Sequence, residues 1–105
     1  MRHILLEETP GPHLLLGNEA IVRGALEAGV NIVACYPGTP SSEVPDSFRA
    51  IRDSGRFYLE YSTNEKVAME VAGGAALGGA MALVTMKHVG VNVAADPLFT
   101  MCYVG

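Results

Sequence analysis

The chain has 105 residues, of which 50% are hydrophobic and 17% charged, with a formal net charge of -4. That length holds one small domain or part of one, and its apolar content is ample for a core. The acidic balance excludes a nucleic-acid surface. The apolar content is high for a small monomer, so one face is expected to pack against another domain or subunit. Glu70 and the glycines interrupt the one long apolar stretch, 68–84, so a buried helix rather than a membrane span is expected there. Cys35 and Cys102 show neither Cys-x-x-Cys spacing nor a nearby His set, and both are expected to be core thiols in a reducing compartment. Met1-Arg2-His3-Ile4-Leu5-Leu6 runs straight into Glu7-Glu8 without a signal-peptide pattern, which predicts a cytoplasmic location.

In chain order, residues 1–13 form an N-terminal extension with weak structure, broken by Pro10-Gly11-Pro12. Asn18 is a good N-cap, and Ala20, Ile21, Gly24, Ala25 and Ala28 give a helix over 19–28 with Gly29 as its stop. The apolar run 30–36 suits a buried parallel strand. In the turn that follows, Gly38 allows a tight bend, Thr39 can cap, and Pro40 can open a helix that runs to about Ser54 before Gly55. Spacing alone makes this an ordinary strand-to-helix turn, neither a dinucleotide fingerprint nor a Walker loop. A strand at 57–61, a helix at 67–80 and a strand at 82–86 come next. Residues 91–103 are helical in parts, with Pro97 expected to break or kink them. This alternation specifies an α/β fold with a mainly parallel sheet and helices on both faces. A doubly wound domain continues with further strands, so the chain is expected to be incomplete at its C-terminal end.

Glu65 falls where the strand at 57–61 gives way to the following helix, at the carboxyl end of a strand, where open α/β sheets bind ligands. Ser62-x-x-Glu65 fits a capping box, so the carboxylate is either a cap or a working group. The helix contains Gly73, Gly74, Gly78 and Gly79, each costing about 1 kcal/mol relative to Ala. The small residues Ala68, Ala72, Gly74, Gly78 and Ala82 would offset that cost by letting another element approach closely.

Three turns fall at strand ends. They are Tyr36-Pro-Gly-Thr39-Pro-Ser-Ser-Glu43, Ser62-Thr-Asn-Glu65-Lys-Val-Ala68, and Thr85-Met-Lys87-His88-Val-Gly90 with Asn92-Val-Ala-Ala-Asp96-Pro97. Together they resemble the N-terminal, pyrimidine-binding domain of the 2-oxoacid:ferredoxin oxidoreductase family, in its indolepyruvate-type branch. The resemblance covers about 14–105 and implies a thiamine-diphosphate-binding fold of the pyrimidine type. It implies that Glu65 bonds N1′ of the aminopyrimidine and favours the imino tautomer that takes the C2 proton of the thiazolium. The cofactor carries the hard chemistry and the protein supplies orientation and electrostatics. Gly38 and Asn64 would line the cofactor site, while Thr39, Lys87 and His88 would address the substrate. His88 can equally be a solvated loop residue, and Asp96 before Pro97 reads as a turn residue. The family reaction is oxidative decarboxylation of a 2-oxoacid, here an aryl one, to the acyl-coenzyme A, with electrons passing through 4Fe-4S clusters to ferredoxin. A beta subunit and the remaining domains of the same subunit are the implied partners.

The family pattern is departed from in three places. The substrate-binding Arg of the pyruvate enzymes has no counterpart, which speaks against pyruvate itself. No Gly-Asp-Gly run with a downstream Asn is present to hold the diphosphate and its Mg²⁺, and no cysteine cluster is present to hold iron–sulfur centres. This segment is therefore expected to bind no metal and only the pyrimidine end of the cofactor, and to be inactive alone. The alternatives are an oxidoreductase of the same class acting on a branched-chain or small 2-oxoacid, and a non-catalytic α/β binding or assembly module.

Overall fold

The computed structural model describes residues 3–104. Three parallel strands, β1 (Ile32–Cys35), β2 (Tyr58–Tyr61) and β3 (Ala82–Thr85), pair in the order β2-β1-β3. In register, Val33 lies opposite Leu59 on one side and Leu83 on the other. The helices are α1 (Gly17–Ala28), α2 (Glu43–Ala50), α3 (Glu65–Leu77), α4 (Gly90–Val93) and α5 (Ala95–Val104). The expected α/β architecture with helices on both faces is what the chain adopts.

Strand alternation sorts the core into two layers. Val33 and Cys35 of β1, with Leu59, point to the side covered by α1 and α2, where they meet Val22, Val44 and Phe48. Phe48 packs edge-on against Phe57, with ring centroids 5.0 Å apart, a favoured aromatic geometry. Ala34 points to the opposite face and meets Ala68 and Ala72 of α3, with Val71, Ala82 and Val84 around them. The small-residue stripe of α3 therefore lets the helix sit close on the sheet. Gly74 takes no part, since nothing lies within 4 Å of the position of its missing Cβ. The close approach to another helix is at Gly73, where the side chain of Met101 from α5 occupies the space a Cβ would need.

Several sequence expectations are corrected. α3 ends at Leu77, with Gly78 as its C-cap and Gly79 in the left-handed region at φ 99°, so these two glycines terminate the helix instead of weakening its interior. The first helix starts two residues early, and Asn18 does not cap it. Glu19 accepts the Leu16 N–H at 2.9 Å, while Asn18 donates to Pro40 O at 3.0 Å and ties α1 to the turn after β1. The second helix starts at Glu43 rather than Pro40. Its expected span to Ser54 divides into α2 and a short 3-10 turn over Arg52–Ser54, and Gly55 stops it as expected. By contrast, the helical stretch expected over 91–103 is broken as expected: α4 ends at Val93 and α5 starts at Ala95, with Pro97 in its first turn, where the missing N–H costs nothing.

The N-terminal segment is more ordered than its composition suggests. Ile4–Leu6 form a 3-10 turn, Leu5 is fully buried in the core, and Arg23 of α1 donates to the carbonyls of Leu5 and Glu7. Cys35 is fully buried as expected, but Cys102 is exposed on α5. Burial pushes the Cys35 thiol up to about 11, with Asp46 and Glu60 adding to the shift.

Two outcomes follow. Near pH 8, a maleimide should label Cys102 rapidly and leave Cys35 untouched until denaturant is added; mass spectrometry of the native protein should find a single adduct, and a rapid second one would contradict the burial of Cys35. Gly74→Ala should stabilise the fold and Gly79→Ala destabilise it, each by about 1 kcal/mol. At this size that moves the melting temperature by about 4–8 °C in opposite directions. Equal responses would mean that α3 does not end where described.

Candidate functional site

The ladder continues one residue past the strands. Ser62 donates its N–H to Cys35 O at 2.9 Å, and Tyr36 to Thr85 O at 3.2 Å. The turns after all three strands therefore gather at the carboxyl edge of the sheet, the usual ligand-binding edge of such folds.

Glu65 is the first residue of α3 and only 4% exposed. The capping-box alternative is overturned. Asn64 is the N-cap, and its Oδ1 accepts the Val67 N–H at 3.0 Å. Ser62 instead donates its hydroxyl to Glu60 Oε2 at 3.3 Å. The positive end of the helix favours a carboxylate at this position. Glu65 packs directly against Gly90, the buried first residue of α4. An added Cβ on Gly90 would stand 2.6 Å from Glu65 Oε2 and 2.7 Å from its Cγ.

A second contact joins the turns after β1 and β3. The aliphatic stem of Lys87 lies across Gly38, so that a Cβ there would be 2.8 Å from Lys87 Cβ and Cδ. Gly38 is needed for this close approach and not for a left-handed backbone, as its φ is not positive. Its N–H donates to Ser42 Oγ at 2.9 Å, and its carbonyl accepts the Ser41 N–H and hydroxyl, both at 2.9 Å. Thr39 and His88 are exposed on the same two turns, and Lys87 is half-buried. Glu65, Gly38 and Lys87 are thus held by packing, Asn64 commits its Oδ1 to the cap, and Thr39 and His88 face outward.

Two features escaped the sequence. Gly90 is one; a glycine after a strand reads as an ordinary turn residue, and only the neighbouring carboxylate gives it meaning. Thr85 is the other. Its Oγ1 is buried without a hydrogen-bond partner among the described residues, beside an apolar cavity of about 400 Å³ along the outer side of β3. A polar residue closing an apolar strand was the available signal. A larger groove of about 600 Å³ lies between α3 and α5, and neither Glu65 nor the turns after β1 and β3 line it.

Two further polar contacts involve Asp96 and Tyr61. Asp96, in the first turn of α5, pairs with Lys66 at 3.5 Å, a surface bridge worth about 0–1 kcal/mol. Tyr61 donates to Asp46 Oδ1 at 3.4 Å, and burial first, then neighbouring charges, raise its phenol above the ordinary value. Among the described residues no group of three or more His, Cys, Asp and Glu side chains stands together as a metal site, and no helix is long and apolar enough to cross a membrane.

Comparison with known proteins places this geometry in a family. Residues 23–100 match the family model described as pyruvate flavodoxin/ferredoxin oxidoreductase, thiamine diphosphate-binding. Indolepyruvate oxidoreductase subunit IorA of Archaeoglobus fulgidus is 64% identical over 95 residues, covering 87% of this chain and 15% of that subunit. The subunit of the same name from Pyrococcus abyssi is 53% identical over 103 residues, covering 97% of this chain and 16% of its own length. The chain therefore spans about one-sixth of the length of these relatives. The solved 2-oxoglutarate:ferredoxin oxidoreductase from Magnetococcus marinus, with 2-oxoglutarate, coenzyme A and succinyl-CoA bound, aligns at a TM-score of 0.71 and 22% identity. That alignment covers 75% of this chain and 14% of the other, and establishes likeness of fold. With three strand-end turns gathered around a buried carboxylate, the chain belongs to the thiamine diphosphate-binding family of the pyruvate flavodoxin/ferredoxin oxidoreductases.

Proposed function

We propose that this chain supplies the aminopyrimidine side of a thiamine diphosphate site in an indolepyruvate-type oxidoreductase. The complete enzyme would oxidatively decarboxylate an aryl 2-oxoacid to its acyl-coenzyme A and pass the electrons to ferredoxin. The observation that carries this reading is Glu65, a carboxylate 4% exposed at the carboxyl edge of the sheet and free of any capping role. The two indolepyruvate oxidoreductase relatives support the substrate class.

The residues present fit the pyrimidine end of the cofactor. A buried carboxylate can hold a proton against a ring nitrogen in a place that excludes water. Gly90 leaves no side chain between the start of α4 and Glu65, and Gly38 none between its turn and the stem of Lys87, so both groups are held close at the sheet edge. When bound, thiamine diphosphate supplies the carbon nucleophile and electron sink for decarboxylation. Glu65 would anchor the ring nitrogen, and Asn64 would fix the start of α3 and so the direction of that carboxylate. Lys87, held over Gly38, would direct its ammonium to the substrate carboxylate, with the Thr39 hydroxyl and His88 completing the substrate side. Residues 14–105 would form the pyrimidine-side domain, with 1–13 as an extension that packs on it. Mg²⁺, the diphosphate and the 4Fe-4S clusters would be held by other parts of the subunit and by a beta subunit. The exposed apolar side chains of α5, Phe99, Tyr103 and Val104, support a face covered within such an assembly. A cytoplasmic location fits this role.

In the full-length enzyme, Glu65→Gln should lower C2 proton exchange and turnover by about 100-fold or more. Its melting temperature should stay within a few degrees of the parent, because the carboxylate does not cap the helix. Exchange at the parental rate would remove Glu65 from catalysis. Comparing turnover of indolepyruvate with branched-chain and small 2-oxoacids tests the substrate class separately.

A further inference from the structure

The geometry points to Gly90 as the positioning residue for Glu65, the missing side chain at the start of α4 being the space in which the working carboxylate is held; this rests on the proposed role of Glu65. Gly90 is buried, and both backbones at the contact are fixed. Gly90 donates its N–H to Lys87 O at 2.9 Å and accepts the Ala94 N–H at 3.1 Å, while the Asn64 cap fixes the start of α3. A Cβ on Gly90 would fall 2.6 Å from Glu65 Oε2, 2.7 Å from Cγ and 3.0 Å from Cδ. Close-packed interiors do not accommodate such distances. Because Cγ is crowded as well as the oxygen, turning the carboxyl group alone does not relieve the clash. The side chain must change rotamer nearer its root, and that carries the carboxylate away from its place in the crevice.

A displacement of this kind is costly where geometry matters. A shift of about 1 Å in a positioned group can lower a rate about 100-fold. Gly90 touches neither ring nor substrate in this scheme and acts only through where it leaves Glu65. The consequence is a specific coupling between two positions 25 residues apart in sequence. Cutting Glu65 back to Ala removes Cγ, Cδ and Oε2, the three atoms an added Cβ on Gly90 would meet. That vacates the space an added methyl needs, so Gly90→Ala should cost nothing further once residue 65 is cut back.

The test measures thiamine diphosphate affinity, with Mg²⁺ present, by calorimetric titration of the full-length enzyme, alongside its melting temperature. Gly90→Ala should weaken binding by about 10- to 100-fold, the size of a lost hydrogen bond to a charged group, with the melting temperature moved by only a few degrees. Gly90→Ala in the Glu65→Ala background should cost little beyond Glu65→Ala alone, a non-additivity expected only of residues in contact. Parental affinity in Gly90→Ala, or losses that simply multiply in the double variant, would overturn the inference. If Gly90→Ala is too unstable to titrate, Glu65→Ala with Gly90→Ala decides. Recovery of the melting temperature supports the contact, and failure to recover overturns it. Glu65→Ala separates this inference from the reading beneath it. Parental affinity there defeats the proposed role of Glu65, whereas weakened affinity there with parental affinity in Gly90→Ala defeats only the positioning role.

Discussion

Burying a carboxylate is the constraint on which the rest of this structure depends. Removing a charged group from water costs several kcal/mol unless the surroundings compensate it, and Glu65 is nearly sealed off. The fold lowers that cost by placing it at the positive end of a helix of 13 residues. It does so at the sheet edge where three turns converge. The position is meaningful only because α3 lies flat on the sheet, and α3 can do that because Ala68 and Ala72 meet Ala34 without large side chains between them. A helix held farther off would carry Glu65 out of the crevice.

The same economy of side chains recurs at the site itself. Gly38 and Gly90 both stand where a Cβ would collide with a side chain from a neighbouring element, the first with the stem of Lys87 and the second with Glu65. The turn after β3 therefore touches both neighbours at once. Through Lys87 it leans on the turn after β1, and through Gly90 on the start of α3. Movement in that turn cannot leave the other two undisturbed, which is a physical reason for the site to behave as a unit.

Much of the fold was legible because its signals are local. Apolar runs named all three strands, and Gly29 and Gly55 marked their helix ends through the left-handed backbone they adopt. The alternation of elements then dictated a parallel sheet. The errors came where tertiary structure overrode a local pattern. Ser62 and Asn64 are both acceptable caps, and the pattern favoured Ser62 because Glu65 follows at the right spacing. The sheet decided otherwise, since the Ser62 N–H is drawn into the ladder at Cys35 and the helix can start only after it. Gly78 and Gly79 look like a continuation of Gly73 and Gly74, and only the backbone angles reveal a stop. The burial of Leu5 was invisible, because three residues of 3-10 turn carry no periodicity. The site was half legible. Glu65 stood out by position, whereas Gly90 acquires meaning only through its packing against that carboxylate.

The most direct measurement is the structure of the full-length enzyme with thiamine diphosphate bound. The expected result is a Glu65 carboxylate oxygen about 2.5–3.0 Å from the ring nitrogen N1′ of the aminopyrimidine, with Gly90 against the back of the same side chain. An aminopyrimidine seated elsewhere, with Glu65 more than a hydrogen bond away from any of its nitrogens, would contradict the central claim.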